Sequence, residues 1–300
     1  QTEQVPFEVK DRISRSLEGK QSYRGKNQLQ DIIERARVTV VIFDEYQILT
    51  TEQFWEAQIL EKYRKQAEAT NNHIILDKQL RMQAGPETMD WIDSFTKRNE
   101  IKKLPETVDG YTIKVFDDPE QLDLEITEKA KKTDSALSRL IATYDWEYSS
   151  KAKRRFRKYW EVEIGAWHKP WNRELKSELS QKEKRQIKDL AWAEQPQTIN
   201  EVGSTFTIQG FDLNYAGVIL GPSVKYRNGK VIYDPEKSCN DKAIQNRTLS
   251  DGSKQKFGEI LIQHAVRVLM TRGVNGMFIY ACDDELREAL KRATQRGETK

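Results

Sequence analysis

The stretch Leu261-Ile262-Gln263-His264-Ala265-Val266-Arg267-Val268-Leu269-Met270-Thr271-Arg272-Gly273-Val274-Asn275-Gly276-Met277-Phe278-Ile279-Tyr280-Ala281-Cys282-Asp283 decides how this chain reads. Apolar residues at 261, 262, 265, 266, 268 and 269 keep helical spacing, and 277–281 form a short uninterrupted apolar strand. Arg272 stands at the joint. An arginine near a core is costly unless an anion or carboxylate meets it, which makes Arg272 a candidate for holding phosphate. A cation followed by glycine is also how many helices end. Taken alone, the stretch favours the cap.

Working outward, 300 residues leave room for one large or two ordinary domains. An apolar content of 37% beside 32% charged residues is polar but globular, and excludes a fully disordered chain. No window approaches the roughly 18 apolar residues of a membrane span, and the first residues lack the order of a signal peptide. These features predict a cytoplasmic protein with no membrane partner. A chain beginning with Gln rather than Met reads as a fragment or processed product. Two cysteines and three scattered histidines offer no zinc spacing, so no metal site is expected on protein thiolates. The net charge of +3 decides nothing about nucleic acid by itself.

In chain order, 28–37 carries helical spacing and leads into Val38-Thr39-Val40-Val41-Ile42-Phe43, a β-branched run with the pattern of a strand buried on both faces of a parallel sheet. Asp44-Glu45-Tyr46-Gln47 follows. Carboxylates at the end of such a strand stand where open α/β sheets place ligands, and the competing reading is a helix cap for the segment after it; the site reading is preferred. Residues 73–76 read as another short strand, with Gln79 and Arg81 just beyond. Arg81 is a second arginine with phosphate-like placement, or a surface arginine with a carboxylate partner.

Helical spacing returns at 86–97, a strand at 112–116, a charged helix at 119–138, and a further strand or helix end at 138–145. From 146 to 192 the character changes. Lys151, Lys153, Arg154, Arg155, Arg157 and Lys158 crowd around Phe156, Tyr159 and Trp160, with Trp167 and Trp171 after them. Such interleaving suits a strand-tracking surface, phosphates on charges and bases on rings; a solvated insertion is the equal alternative. Further on, Thr207-Ile208-Gln209-Gly210-Phe211-Asp212 combines a glycine that permits close backbone approach with polar side chains able to meet phosphate and sugar. Asn228-Gly229 marks a hairpin turn.

Taken in order, Asp44-Glu45-x-Gln47, Leu76-x-x-Gln79-Leu80-Arg81, Thr207-x-Gln209-Gly210-Phe211-Asp212 and Val268-Leu269-x-Thr271-Arg272-Gly273 resemble the late motifs of superfamily-one helicases. The chain is most similar to the bacterial P-loop ATPase family called the Schlafen group III-like DNA/RNA helicase domain, over about 23–290, including Trp91-Ile92-Asp93 and Pro170-Trp171-Asn172. Gln47 and Gln79 are 32 positions apart, too close for another motif between them, so 44–47 matches the third helicase motif rather than Walker B. GxxxxGK[ST] does not occur: Gly19-Lys20, Gly25-Lys26 and Gly229-Lys230 are followed by Gln21, Asn27 and Val231. Around 8–13 there is only a degraded Walker B match.

The resemblance implies a RecA-like P-loop NTPase fold: the tail of a first domain over 1–74, and a second domain over 75–300 carrying the basic, aromatic insertion at about 146–192. It implies Arg272 as an arginine finger, Arg81 as a second phosphate arginine, and Asp44, Glu45 and Gln47 as the coupling element. Gln79, Gln209, Gly210 and Asp212 would line the ATP cleft. Thr207 would touch the nucleic-acid backbone, with Lys151, Arg154, Arg155, Arg157, Lys158 and Trp171 on the strand. ATP and Mg2+ are implied as cofactors, and DNA or RNA, single-stranded, as a partner. An upstream P-loop domain, in the same protein or a partner chain, would complete the cleft; without it the chain would not hydrolyse ATP. The alternative is a degenerate, non-catalytic nucleic-acid-binding or regulatory module.

Overall fold

A computed structural model describes residues 28–76, 79–105, 110–149 and 158–294. They form two compact units, one drawn from the first 78 residues together with Lys242–Leu261, the other from Gln79–Asp241 and the residues from 262 onward.

In the first unit, helices α1 (Gln28–Arg35) and α2 (Ala57–Ala69) are joined by a segment whose regular structure is two single turns, Glu45–Gln47 and Thr51–Gln53. Ile48, Leu261 and Ala243 form a small core, with Phe43, Phe54, Trp55 and Phe257 packed on it and the rings of Phe54 and Phe257 stacked at 3.9 Å. The runs expected to be strands are not strands. Residues 38–43 and 73–76 carry no sheet pairing, and Val38, Val40, Ile42, Ile74, Ile75 and Leu76 face outward. A strand needs neighbours to take its backbone N–H and C=O groups. The strands that Lys242–Leu261 brings to this unit, Asn246–Thr248 and Lys254–Lys256, pair only with each other.

The second unit is built on a five-stranded sheet. Its strands are β1 (Thr112–Val115), β2 (Arg139–Ala142), β5 (Val202–Ser204), β6 (Leu213–Leu220) and β11 (Gly273–Ala281), where β3 (Glu161–Ile164) with β4 (Trp167–Pro170), β7 (Val224–Arg227) with β8 (Lys230–Tyr233), and β9–β10 of the first unit are separate two-stranded ribbons. The order is β1-β11-β6-β2-β5 and every pairing is parallel. This is an α/β fold consistent with a RecA-like domain. Helices α3 (Pro86–Lys97), α4 (Pro119–Ala130), α8 (Gly258–Met270) and α9 (Asp284–Thr294) cover the sheet, with α5–α7 the short helices Gln181–Gln186, Thr205–Ile208 and Asp241–Ile244.

Alternation explains the continuous apolar runs. Phe278 and Tyr280 of β11, Ile219 of β6, and Leu140 and Ala142 of β2 meet Leu122 and Ile126 of α4 on one face. The intervening Met277, Ile279, Val218, Leu220 and Ile141 meet Trp91, Ile92 and Phe95 of α3, Val266 and Leu269 of α8, and Leu286 and Leu290 of α9 on the other. Both faces of each central strand are buried, so neither can be polar. Local signals set the ends: Pro86 and Pro119 open α3 and α4, and Asp118 accepts the Glu120 N–H at 2.8 Å. Asn228 and Gly229, both at positive φ, make the two-residue turn between β7 and β8.

The insertion is tied down by buried groups. Trp171 is fully buried against Tyr144 and Trp146, so it is a core residue and not a stacking platform on the surface. Asn172, at φ 61°, donates its N–H to the Val202 carbonyl (2.8 Å) and accepts from Trp192 Nε1 (2.9 Å). Glu201 accepts from Leu175 N at 2.6 Å and Trp192 Nε1 at 3.1 Å, and burial pushes its carboxyl up to about 7. Thus Pro170-Trp171-Asn172 holds the fold together. So does Trp91-Ile92-Asp93: Trp91 donates to Lys102 O at 2.9 Å, and Asp93 pairs with Lys97 and Arg267.

Two outcomes follow. Trp171→Ala is expected to lower the unfolding free energy by about 3–5 kcal/mol in urea titration; a variant that unfolds like wild type yet loses nucleic-acid binding would return Trp171 to the surface role. For Glu201, the folded state keeps its proton up to pH about 7, whereas the unfolded chain releases it near 4.5. The native state therefore binds more protons between these values, and stability falls as pH rises through 7. Between pH 5 and 8 the loss should be on the order of 2 kcal/mol, smaller in Glu201→Gln; an equal slope in both proteins would show that Glu201 is not its source.

Candidate functional site

Gln79, Arg81, Gln209, Gly210, Asp212 and Arg272, all of the second unit, lie at the amino ends of β6 and β11. These strands are neighbours, so the residues just ahead of them are neighbours too: Leu213 N donates to Arg272 O at 2.9 Å, and Gly273 stands opposite Leu213. Gly273 is required there, since a Cβ would lie 2.0 Å from the Gly276 carbonyl oxygen. Ahead of β6, α6 ends at Gln209 and Gly210 turns the chain at φ 81° into Phe211 and Asp212.

Arg272 is wholly buried. Its Nε donates to the Val268 carbonyl at 3.0 Å, closing the last turn of α8, and its Nη1 donates to the Phe211 carbonyl at 3.4 Å. The side chain therefore does cap the helix, and it also fastens the 209–212 turn. On the outside of the same turn, Arg81 forms an ion pair with the Asp212 carboxylate, both side chains being partly exposed. Gln79 shapes the backbone that presents Arg81. Its Oε1 accepts from Arg81 N and from Met82 N (2.6 Å), and its Nε2 donates to Met82 O at 3.0 Å. Gln83 N then donates to Val274 O at 2.8 Å, laying the segment beside β11. Two arginines thus bracket one turn, at the amino edge of the sheet and not at the carboxyl edge where open α/β sheets usually receive ligands.

Other expected residues lie elsewhere. Thr207 uses its hydroxyl internally, donating to Ser204 O (2.9 Å) and accepting from Ser204 N (2.8 Å). Asp44 caps only the single turn Glu45–Gln47, accepting from Tyr46 N at 3.0 Å, while the helix α2 that follows opens at Ala57 after Glu56 with no side-chain cap; these residues belong to the first unit. Lys151, Arg154, Arg155 and Arg157 lie outside the described residues. Lys158 is exposed, pairs with Glu178 and lies 4.8 Å over the Tyr159 ring. No group of three or more His, Cys, Asp or Glu side chains among the described residues could hold a metal ion, and no described helix is long and apolar enough to cross a membrane.

Two polar residues of the sheet were missed. Arg139, the first residue of β2, is buried and donates only to neutral oxygens, Thr198 Oγ1 (2.9 Å), Ala136 O (2.9 Å) and Ser138 O (2.8 Å); burial lowers its guanidinium to about 10. Asp145, past the other end of β2, accepts from Thr143 Oγ1 and Ser223 N, both at 2.9 Å, and burial raises its carboxyl to about 6. Asp145 had a signal, since it follows the apolar run 140–142 much as Asp44 follows 38–43. Arg139 had none, because a charged residue opening an apolar run looks like an exposed strand end.

Comparison with known proteins bears out the family resemblance. Residues 11–283 match the family described as Schlafen group 3, DNA/RNA helicase domain. A relative from the yeast Saccharomyces cerevisiae, called Uncharacterized protein YPL245W, is 28% identical over 305 residues, covering 95% of this chain and 63% of that protein. The chain thus spans a little under two thirds of this relative's length, and a yeast relative does not support an exclusively bacterial origin. No solved structure matches. With nearly its whole length matched, the chain belongs to the Schlafen group 3 DNA/RNA helicase domain family.

Proposed function

We propose that this chain is the C-terminal part of an ATP-dependent, helicase-like P-loop ATPase acting on DNA or RNA. It contributes phosphate-facing arginines and nucleic-acid contacts to a cleft that an upstream P-loop domain completes. The observation that carries this reading is the convergence of Gln79, Arg81, Asp212 and Arg272 on one turn at the edge of a parallel sheet, in a chain of a helicase-domain family. Arg81 is the side chain accessible to a polyphosphate. Arg272 bonds the Phe211 carbonyl and reaches a γ-phosphate only if the 209–212 turn shifts.

ATP and Mg2+ fit the site in part. Arg81 suits the phosphate oxygens, while the metal would be held by the nucleotide and the P-loop portion. The exposed apolar runs around Val40 and Ile75 support a further sheet-bearing segment in the working protein. A second reading, a non-catalytic nucleic-acid-binding module, is favoured by the complete burial of Arg272.

The chain alone is expected to show no ATP turnover with saturating Mg-ATP, and to bind single-stranded DNA with an affinity that falls steeply with salt. Turnover would overturn the incomplete cleft; binding indifferent to salt would overturn strand tracking by the basic stretch 151–158. A reading frame encoding GxxxxGK[ST] ahead of Gln1 separates the ATPase from the non-catalytic module.

A further inference from the structure

We infer that Asp212 is an internal competitor for the phosphate that Arg81 would bind, so that the site rejects singly bonded small anions and opens to a polyphosphate. This rests on the reading of Arg81 as a phosphate arginine. The carboxylate of Asp212 already sits against the Nε side of the Arg81 guanidinium as an ion pair, meeting there the charge that a phosphate oxygen would meet, while Nε itself is buried and donates no hydrogen bond. Both side chains remain partly exposed although Nε is buried, so an incoming anion reaches the guanidinium from its outer nitrogens and the pair can separate.

The surroundings keep the pair poised. Gln79 holds the backbone at Arg81 and Met82, and Gln83 N fastens the segment to Val274 O. On the other side, Gly210 turns the chain and Arg272 grips the Phe211 carbonyl. Neither backbone has to move for the exchange; the Asp212 side chain alone must turn away. An anion that displaces it must offset both the lost ion pair and the repulsion of a nearby carboxylate. A group carrying several charges, such as a nucleoside triphosphate, does so where orthophosphate or sulfate does not. The same arrangement couples the site to the 209–212 turn: phosphate at Arg81 frees Asp212 from its tie to the segment 79–83.

The test is calorimetric titration of the 300-residue chain and its variants with sodium tripolyphosphate and with orthophosphate. Asp212→Asn should bind tripolyphosphate at least tenfold more tightly than wild type and gain measurable orthophosphate binding. Arg81→Ala and the double variant should bind neither. If Arg81→Ala abolishes tripolyphosphate binding but Asp212→Asn binds no more tightly than wild type, the competitor is wrong and the phosphate arginine survives. Binding that is absent from every variant, or indifferent to Arg81, overturns both. A half-exposed pair contributes little to stability, so Asp212→Asn should fold. Should it not, Asp212→Ser, read by the same titrations, gives the answer: tripolyphosphate binding at least tenfold tighter than wild type supports the exchange, and unchanged binding counts against it.

Discussion

A guanidinium removed from water has to be met by oxygens, and the position of Arg272 makes that demand at the point where helix α8 gives way to the central strand β11. Val268 supplies one carbonyl from the last turn of the helix and Phe211 another from the chain entering β6. The side chain thereby fixes the end of α8, the start of β11 and the turn before β6 relative to one another. A carbonyl left buried without a donor would be costly as well, so the arrangement is required from both sides.

From that anchor the partly exposed edge follows. With Phe211 held from within, Asp212 faces outward and meets Arg81, whose backbone is shaped by Gln79. The inner arginine is structural in the conformation observed, and the outer one is accessible. The cap and phosphate readings of Arg272 are therefore less opposed than they looked: a side chain that caps the helix also positions the turn on which the accessible arginine and its carboxylate sit.

The second unit was largely legible. Strands β1, β2 and β11 and helices α3, α4 and α8 lie where apolar spacing and the Asn228-Gly229 turn indicate, because a sheet buried on both faces leaves little freedom of composition. In the first unit the same rule fails for want of neighbouring strands. Val38–Phe43 is as β-branched as any strand in the chain, yet ladder hydrogen bonds come from another strand, and none pairs with it among the described residues. Trp171 was misplaced for a related reason. Basic residues around an aromatic describe a local composition, whereas its burial depends on Tyr144 and Trp146, which lie further back along the chain.

By itself the sequence determined the α/β class, the central strands and the order of motifs, all set by local spacing and by residue types that a buried sheet or a tight turn demands. Tertiary structure alone decided which of the polar motif residues meet. Gln79 and Arg81 are brought beside Asp212 and Arg272 across more than a hundred residues by parallel pairing of β6 with β11 and by the bond from Gln83 to Val274. It also decided that Arg272 is buried and Arg81 partly exposed. The physical reason is that burial of a charge depends on where its partners' backbones run, which no local spacing records.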